Sequence, residues 1–204
     1  MSTTAARPLR ADARRNRERL LAVAARMLAA DEAVALEAIA QEAGVGIGTL
    51  YRHFPQRALL LEAAYRHEVE ALCDAAPELV ASAPTGMDAL RAWTDRFVGY
   101  AATKRGMGGA LRAAVGPDAP LFTETRERLV GALETLVGAG QADGTVRPDI
   151  AADDVLRAVG AVWMVPDGPE WDAQVRRLLD LVVDGLRHGA PRGRVTAPTS
   201  SPTL

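Results

Sequence analysis

The chain reads as an all-α protein, and three observations carry that reading. Apolar residues recur at three- and four-residue steps, and no useful window alternates apolar and polar positions as a half-buried strand does. Ala, the strongest helix former, is the commonest residue. Gly and Pro fall between the periodic segments rather than within strand-like runs. No internal repeat is present.

The first helix is expected from about Asp12 to Ala30, with Leu20, Leu21, Ala24, Ala25 and Leu28 on one face and Arg residues on the other. Leu36, Ile39, Ala40 and Ala43 give an i, i+3, i+4, i+7 pattern for a short second helix ending before Gly44, which supplies the positive φ of a helix stop. A third short helix, about Ile47 to His53, turns Val45, Leu50 and Phe54 inward. Pro55 ends it and is expected at the start of a long fourth helix reaching about Leu79. Ala76-Pro77 and Ala83-Pro84 mark the expected exit from that helix. Thr85-Gly86-Met87-Asp88 fits a capping box and opens a helix expected to stop near Thr103, with a separate one between Gly108 and Val115. Further helices are expected at Pro120 to Ala142, Ala152 to Val165 and Pro169 to His188. The Pro-, Thr- and Ser-rich tail, residues 189–204, reads as disordered.

Charge is unevenly distributed. The 204 residues carry a net charge of −2, yet residues 1–60 hold nine Arg against six acids while the remainder is acidic. A basic front on an acidic body points to a polyanion bound at one end. A content of 49% hydrophobic and 25% charged residues is that of a globular chain. The single Cys73 excludes a disulfide framework and a multi-Cys metal site. It reads as a packed thiol, because no neighbour in sequence would lower its pKa. His53, His67 and His188 have no i, i+4 partner, so no metal site and no cofactor are expected. Gly44-Val45-Gly46-Ile47-Gly48 follows a helix and fits neither phosphate-loop spacing. No nucleophile, base and oxyanion donor converge in the pattern, so the chain does not read as an enzyme. No apolar run reaches the ~18 residues of a membrane span, and a cytoplasmic protein is expected.

The second and third helices, joined at Gly44, have the spacing of a helix-turn-helix, whose second helix enters the major groove. The inward anchors leave Ile47, Gly48, Thr49, Tyr51, Arg52 and His53 on the outer face, none of them acidic. Arg19-Leu20-Leu21-x-x-Ala24-Ala25, Leu36-x-x-Ile39-Ala40-x-x-Ala43-Gly44-Val45, Gly48-Thr49-Leu50-Tyr51-Arg52-His53-Phe54 and Arg57-x-Leu59-Leu60 together resemble the TetR family of bacterial transcriptional regulators. The resemblance covers about residues 15–62. It implies a three-helix DNA-binding domain, a connecting fourth helix and an all-α body that dimerises and binds a small effector; most members are repressors. It also implies operator contacts at Gly48, Thr49, Tyr51 and His53, with Arg57 where the family usually has Lys. The departures are Ala35, in place of a capping Thr, Gly46, in place of a capping Ser, and Ile47, where a polar residue is frequent. Ile47 methyls suit a thymine methyl. Arg7, Arg10, Arg14 and Arg15 form an arm suited to phosphate or minor-groove contact.

The domains expected are therefore residues 1–58 for the arm and DNA-binding head, including Gly46 and Arg57 among its contacts, and residues 59–188 for a regulatory and dimerisation body. In that body Trp93, Phe97, Tyr100, Met107, Leu111, Phe122 and Trp163 are the candidate lining of an apolar effector pocket. Trp93, Phe97 and Tyr100 share one helical face. Leu129, Leu133 and Met164 are further candidates for its wall, and Arg112 or Arg126 could orient an anionic group. Val155, Val159 and Val162, with Leu178, Leu179, Val182, Val183 and Leu186, form apolar stripes, part of each serving the chain's own core and the rest expected to build a two-fold homodimer. The function expected is a dimeric repressor released from a palindromic double-stranded operator by a small apolar effector. The alternatives are a regulator without such a ligand, controlled by a protein partner, and a helical enzyme with a DNA-binding head.

Overall fold

Helix α1 (Ala6–Ala30) lays Leu20, Leu21, Ala24, Ala25 and Leu28 into the core. The computed structural model describes residues 6–187, with side chains from Arg14 onward, so α1 starts before the expected Asp12. Helices α2 (Leu36–Glu42) and α3 (Ile47–His53) follow, and Gly44 between them takes φ 66°, the left-handed conformation that favours glycine. Ala35 and Gly46 precede α2 and α3 without a side-chain cap, as their chemistry requires. Arg19 Nε instead donates to the Ala43 carbonyl, at 3.0 Å, and holds the end of α2 from α1.

The long α4 (Arg57–Ser82) packs against α1, the body helix α5 (Gly86–Val115) and the body helix α6 (Pro120–Ala142). Two boundaries expected from sequence move here. Helix α4 runs past the expected Leu79 to Ser82, just before Ala83-Pro84, and Pro77 sits inside it while Ala75, Ala76 and Leu79 around it remain buried. The burial of those neighbours outweighs the one ladder bond that proline removes. Nor is there a break between Thr103 and Gly108, because α5 is continuous over thirty residues. Met107 and Leu111 are fully buried there, which offsets a glycine cost of about 1 kcal/mol each. Gly106 has a packing role: a Cβ on it would overlap the Ala29 carbonyl, so α1 and α5 cross at this point with no room for a side chain.

The start of α5 is capped twice. Thr85 Oγ1 accepts from Asp88 N at 3.1 Å, as the capping box predicts. Asp143, at the end of α6, accepts the Gly86 N–H at 2.6 Å, and Thr145 Oγ1 accepts from Met87 N at 3.2 Å. The Gly86 N–H bond, reinforced by Thr145, holds the Asp143 carboxyl below the usual range. The chain then forms α7 (Ala152–Val159), a 3₁₀ segment (Gly160–Met164) and α8 (Trp171–Gly185). The single helix expected to Val165 thus tightens after Val159, and α8 starts later than Pro169 and stops at Gly185. His188 and the tail lie outside the described residues. Among the described residues there is no strand and no helix long and apolar enough to cross a membrane.

Gly106→Ala is expected to lower stability by roughly 1–3 kcal/mol, the cost of overpacking a close contact. Gly99→Ala, in the same helix but facing open space, is expected to raise it by up to about 1 kcal/mol. Thermal melts of the two variants compare them directly, and equal midpoints would remove the argument for a close crossing.

Candidate nucleic-acid interface and body cavity

The head presents α3 as an outward ridge. Leu50 is fully buried and Phe54 nearly so, which anchors α3 by its inner face. Gly46, Ile47, Gly48, Tyr51, Arg52 and His53 are exposed and Thr49 is half-buried, so the outer face is the one expected from sequence. At 1.5 Å per residue its seven residues span roughly 10 Å, a length that fits across a major groove about 12 Å wide. No acidic residue lies on α3, and Arg52 and His53 sit in its last turn.

Arg57 occupies a different place from that ridge. At the start of α4 it donates through Nη1 to the Val34 carbonyl at 2.6 Å and through Nη2 to the Glu32 carbonyl. Its guanidinium fork therefore fastens the α1–α2 loop to α4. Arg makes this clamp where a Lys would not, since one ammonium cannot bridge two carbonyls with the same fixed fork. Glu32 extends the connection: its carboxylate accepts the N–H of Ala110, in α5, at 3.1 Å. That bond and the Gly106–Ala29 crossing join the head to α5.

Two adjoining cavities open in the body beside α5. The first, about 270 Å³, is lined by Phe97, Tyr100, Lys104, Phe122, Thr125, Arg126, Leu129, Leu156, Arg157, Gly160 and Trp163. The second, about 520 Å³, is lined by Lys104, Arg105, Gly108, Leu111, Arg112, Pro117, Phe122, Trp163 and Asp167. Phe97, Tyr100, Leu111, Phe122, Trp163 and Leu129 thus reach cavity walls as the sequence suggests. Trp93 and Met107 do not. Trp93 is fully buried behind Phe97, stacked at 5.5 Å, with Nε1 donating to the Leu72 carbonyl at 2.9 Å. Met107 is fully buried and packs in the core rather than at a cavity wall. Leu133 is also a core residue and Met164 is 84% exposed, so neither forms a wall.

Lys104, the chain's single lysine, is the residue that sequence reasoning passed over. It belongs to both cavities, and its Nζ lies 4.8 Å from the Trp163 ring centroid, 5.8 Å from Tyr100 and 6.0 Å from Tyr65. Its position four residues after Tyr100 and seven after Phe97 was the available signal, because it continues their helical face. The 3₁₀ segment carries Trp163 over it. Below, the buried Tyr65 and Tyr100 hydroxyls are 3.1 Å apart, and burial pushes the Tyr100 hydroxyl up, with Tyr65 adding to the shift. Arg126 and Arg157 both engage Asp153, and Arg105 engages Asp167 and the Val165 carbonyl. Cys73 is half-buried and its thiol is pushed up to about 11, first by burial. That shift keeps it a thiol at neutral pH, a poor nucleophile.

The apolar stripes of the last helices divide between core and surface. Val155, Val159, Val162, Leu179, Val183 and Leu186 are buried within this chain and are the part of the stripes that serves its own core. The face left open is Ala158, Ala161, Leu178, Leu181 and Val182, which line a shallow apolar groove with Leu181 70% exposed.

Comparison with known proteins agrees with this architecture. Residues 20–64 match the sequence profile of the bacterial regulatory proteins of the tetR family, and residues 85–188 match that of the SbtR-like transcriptional regulator C-terminal domain. The crystal structure of the TetR transcriptional regulator SCO0520 from Streptomyces coelicolor is similar, at 46% identity over 85% of this chain and 99% of that one, with a TM-score of 0.79. A TetR regulatory protein from Mycobacterium vanbaalenii is 34% identical over 88% of this chain and 99% of its own, with a TM-score of 0.70. No functionally curated protein matches the chain. The chain belongs to the TetR family of transcriptional regulators. It is a DNA-binding regulator, and its homologues are regulators rather than enzymes.

Arg57→Lys keeps the charge and loses the fork. We expect a loss of about 1 kcal/mol of stability, read as a lower melting midpoint, with faster amide exchange at Glu32 to Val34. An unchanged midpoint and unchanged exchange would mean that the two carbonyl bonds do not hold the loop.

Proposed function

We propose that the protein is a homodimeric repressor that leaves a palindromic operator when a small, largely apolar effector enters the body cavity. Its organisation is a head of residues 1–58 and a regulatory body of residues 59–188, acting in the cytoplasm on double-stranded DNA. One observation carries the reading. The stretch of α5 from Lys104 to Arg112 walls the larger cavity, and the same stretch touches the head through Gly106 and Ala110. A ligand that shifts α5 must therefore shift α1 and the α1–α2 loop, and with them α3. Such a ligand releases DNA only if it binds the released state more tightly than the DNA-bound state.

A single helix-turn-helix head reads half a site, and dimers present two heads one helical turn or a small multiple apart. The groove around Leu181 is the face we assign to the second copy, since an exposed apolar patch between two helices marks an interaction surface. Ile47, Gly48, Thr49, Tyr51, Arg52 and His53 are assigned to the operator, with the first and last turns of α3 nearest phosphate. Gly46 lets the backbone at the start of α3 approach closely, and Arg57 acts by fixing the loop beside it.

Two measurements test this reading. Operator affinity should fall steeply with salt, as counterions are released from neutralised phosphates, and Arg52→Ala should weaken binding and alter base preference. An affinity independent of salt would contradict phosphate-led binding. Light scattering should return a dimer for the native chain and a 21.6 kDa particle for Leu181→Asp. A native monomer at micromolar concentration, or a Leu181→Asp variant that remains dimeric, would overturn the assigned interface.

A further inference from the structure

We propose that the ligand is a small aryl carboxylate in the smaller cavity, its ring held among Phe97, Tyr100, Phe122 and Trp163 and its carboxylate on Lys104, the α5 residue shared with the larger cavity. The inference deepens the effector reading and rests on it for its consequences at DNA. It stands on the pairing of the cations that line the smaller cavity, where Lys104 alone is left open; Arg112, also unpaired among the described residues, lines only the larger cavity. Asp153 engages both Arg126 and Arg157, and Asp167 engages Arg105. Among the described residues Lys104 Nζ has no hydrogen-bond or ion-pair partner, and its neighbours are the faces of three rings. Ring faces attract a cation but accept none of its N–H groups as a carboxylate does, so its three donors remain available.

A second donor stands near. Tyr65 and Tyr100 carry two hydroxyl hydrogens, and the single bond between them uses one. When Tyr65 is the donor of that bond, the Tyr100 hydrogen is left for an acceptor at the cavity wall that Tyr100 forms. One ammonium and one phenol suit a monoanion with two oxygens. A phosphate group, with more charge and more acceptors, finds a forked guanidinium or a row of backbone N–H groups the better match, and the arginines of the smaller cavity are already committed to Asp153. The rest of the wall is aromatic. Phe97 and Tyr100 each present a ring to Trp163, with centroids 6.3 and 6.4 Å away. Those rings favour a flat, apolar body through offset or edge contacts. A volume of about 270 Å³ holds one ring with a short side chain.

The test uses the full-length protein, free of DNA, and calorimetric titration with phenylacetate and 3-phenylpropionate against the matching primary amides. We expect at least one carboxylate to bind and its amide to bind at least about tenfold more weakly, the loss that follows from removing a charged hydrogen bond. Lys104→Met should lose carboxylate binding by a similar factor, and Lys104→Arg, which retains the charge, should restore part of it. The proposal is overturned if no carboxylate binds, if the amides bind as well, or if Lys104→Met binds the carboxylate like the native chain while remaining folded. The same ligand is then added to the operator complex. Lysine-dependent binding without DNA release would leave the carboxylate site standing and remove the effector reading; release lost in Lys104→Met would support both.

Discussion

The crossing of α1 and α5 at Gly106 is the constraint on which the rest of the molecule depends. A Cβ there would overlap the Ala29 carbonyl, so the backbones of a head helix and a body helix meet without an intervening side chain. At an ordinary crossing, side chains separate the axes and can adjust by changing rotamer. At this one little can adjust, because packed interiors resist compression. The position of the head is therefore tied to the position of α5. The neighbouring Glu32–Ala110 bond adds a polar link to the same contact, and Arg57 ties the other side of Glu32 to α4.

This arrangement gives a short physical path from the cavity to the exposed ridge of α3. Lys104, Arg105, Gly108, Leu111 and Arg112 line the larger cavity on α5. Gly106 and Ala110, within the same turns, touch α1 and the loop after it. From there Arg19 reaches the end of α2, and Leu50 and Phe54 seat α3 on the head's core. Each link is a direct contact between named groups. Proximity alone does not make a coupling; what gives this path its stiffness is a backbone contact that cannot be compressed.

Much of this was legible in the sequence, and the failures have physical causes. Gly44 and the Thr85–Asp88 box fixed a turn and a cap because each depends on local backbone chemistry; Pro55 marked the end of α3 but stands two residues before α4, which begins at Arg57. The outer face of α3 was readable because Leu50 and Phe54 left no doubt about its inner face. Gly106, Gly108 and Gly109 looked like a break, since propensity penalises glycine locally while the compensating burial of Met107 and Leu111 and the crossing with α1 are tertiary. Trp93 was placed at the cavity because helical periodicity gives the face of a residue but not its depth. The stripes of α7, the 3₁₀ segment and α8 could not be divided residue by residue between core and surface for a similar reason: both destinations want the same side chains. Lys104 stood in the periodic stripe all along, but only the placement of Trp163 opposite it, from another segment, shows its cation among rings.

The most direct test of the coupling is amide hydrogen exchange at Ala110, measured in the native chain and in Arg57→Ala, with Ala92 at the far end of α5 as reference. The substitution frees the Glu32 carbonyl and touches nothing on α5. If the head loop and α5 move as one unit through Glu32, exchange at Ala110 accelerates while that at Ala92 is unchanged. If the loop loosens and the Ala110 rate stays at its native value, the head is not coupled to the cavity wall through this contact.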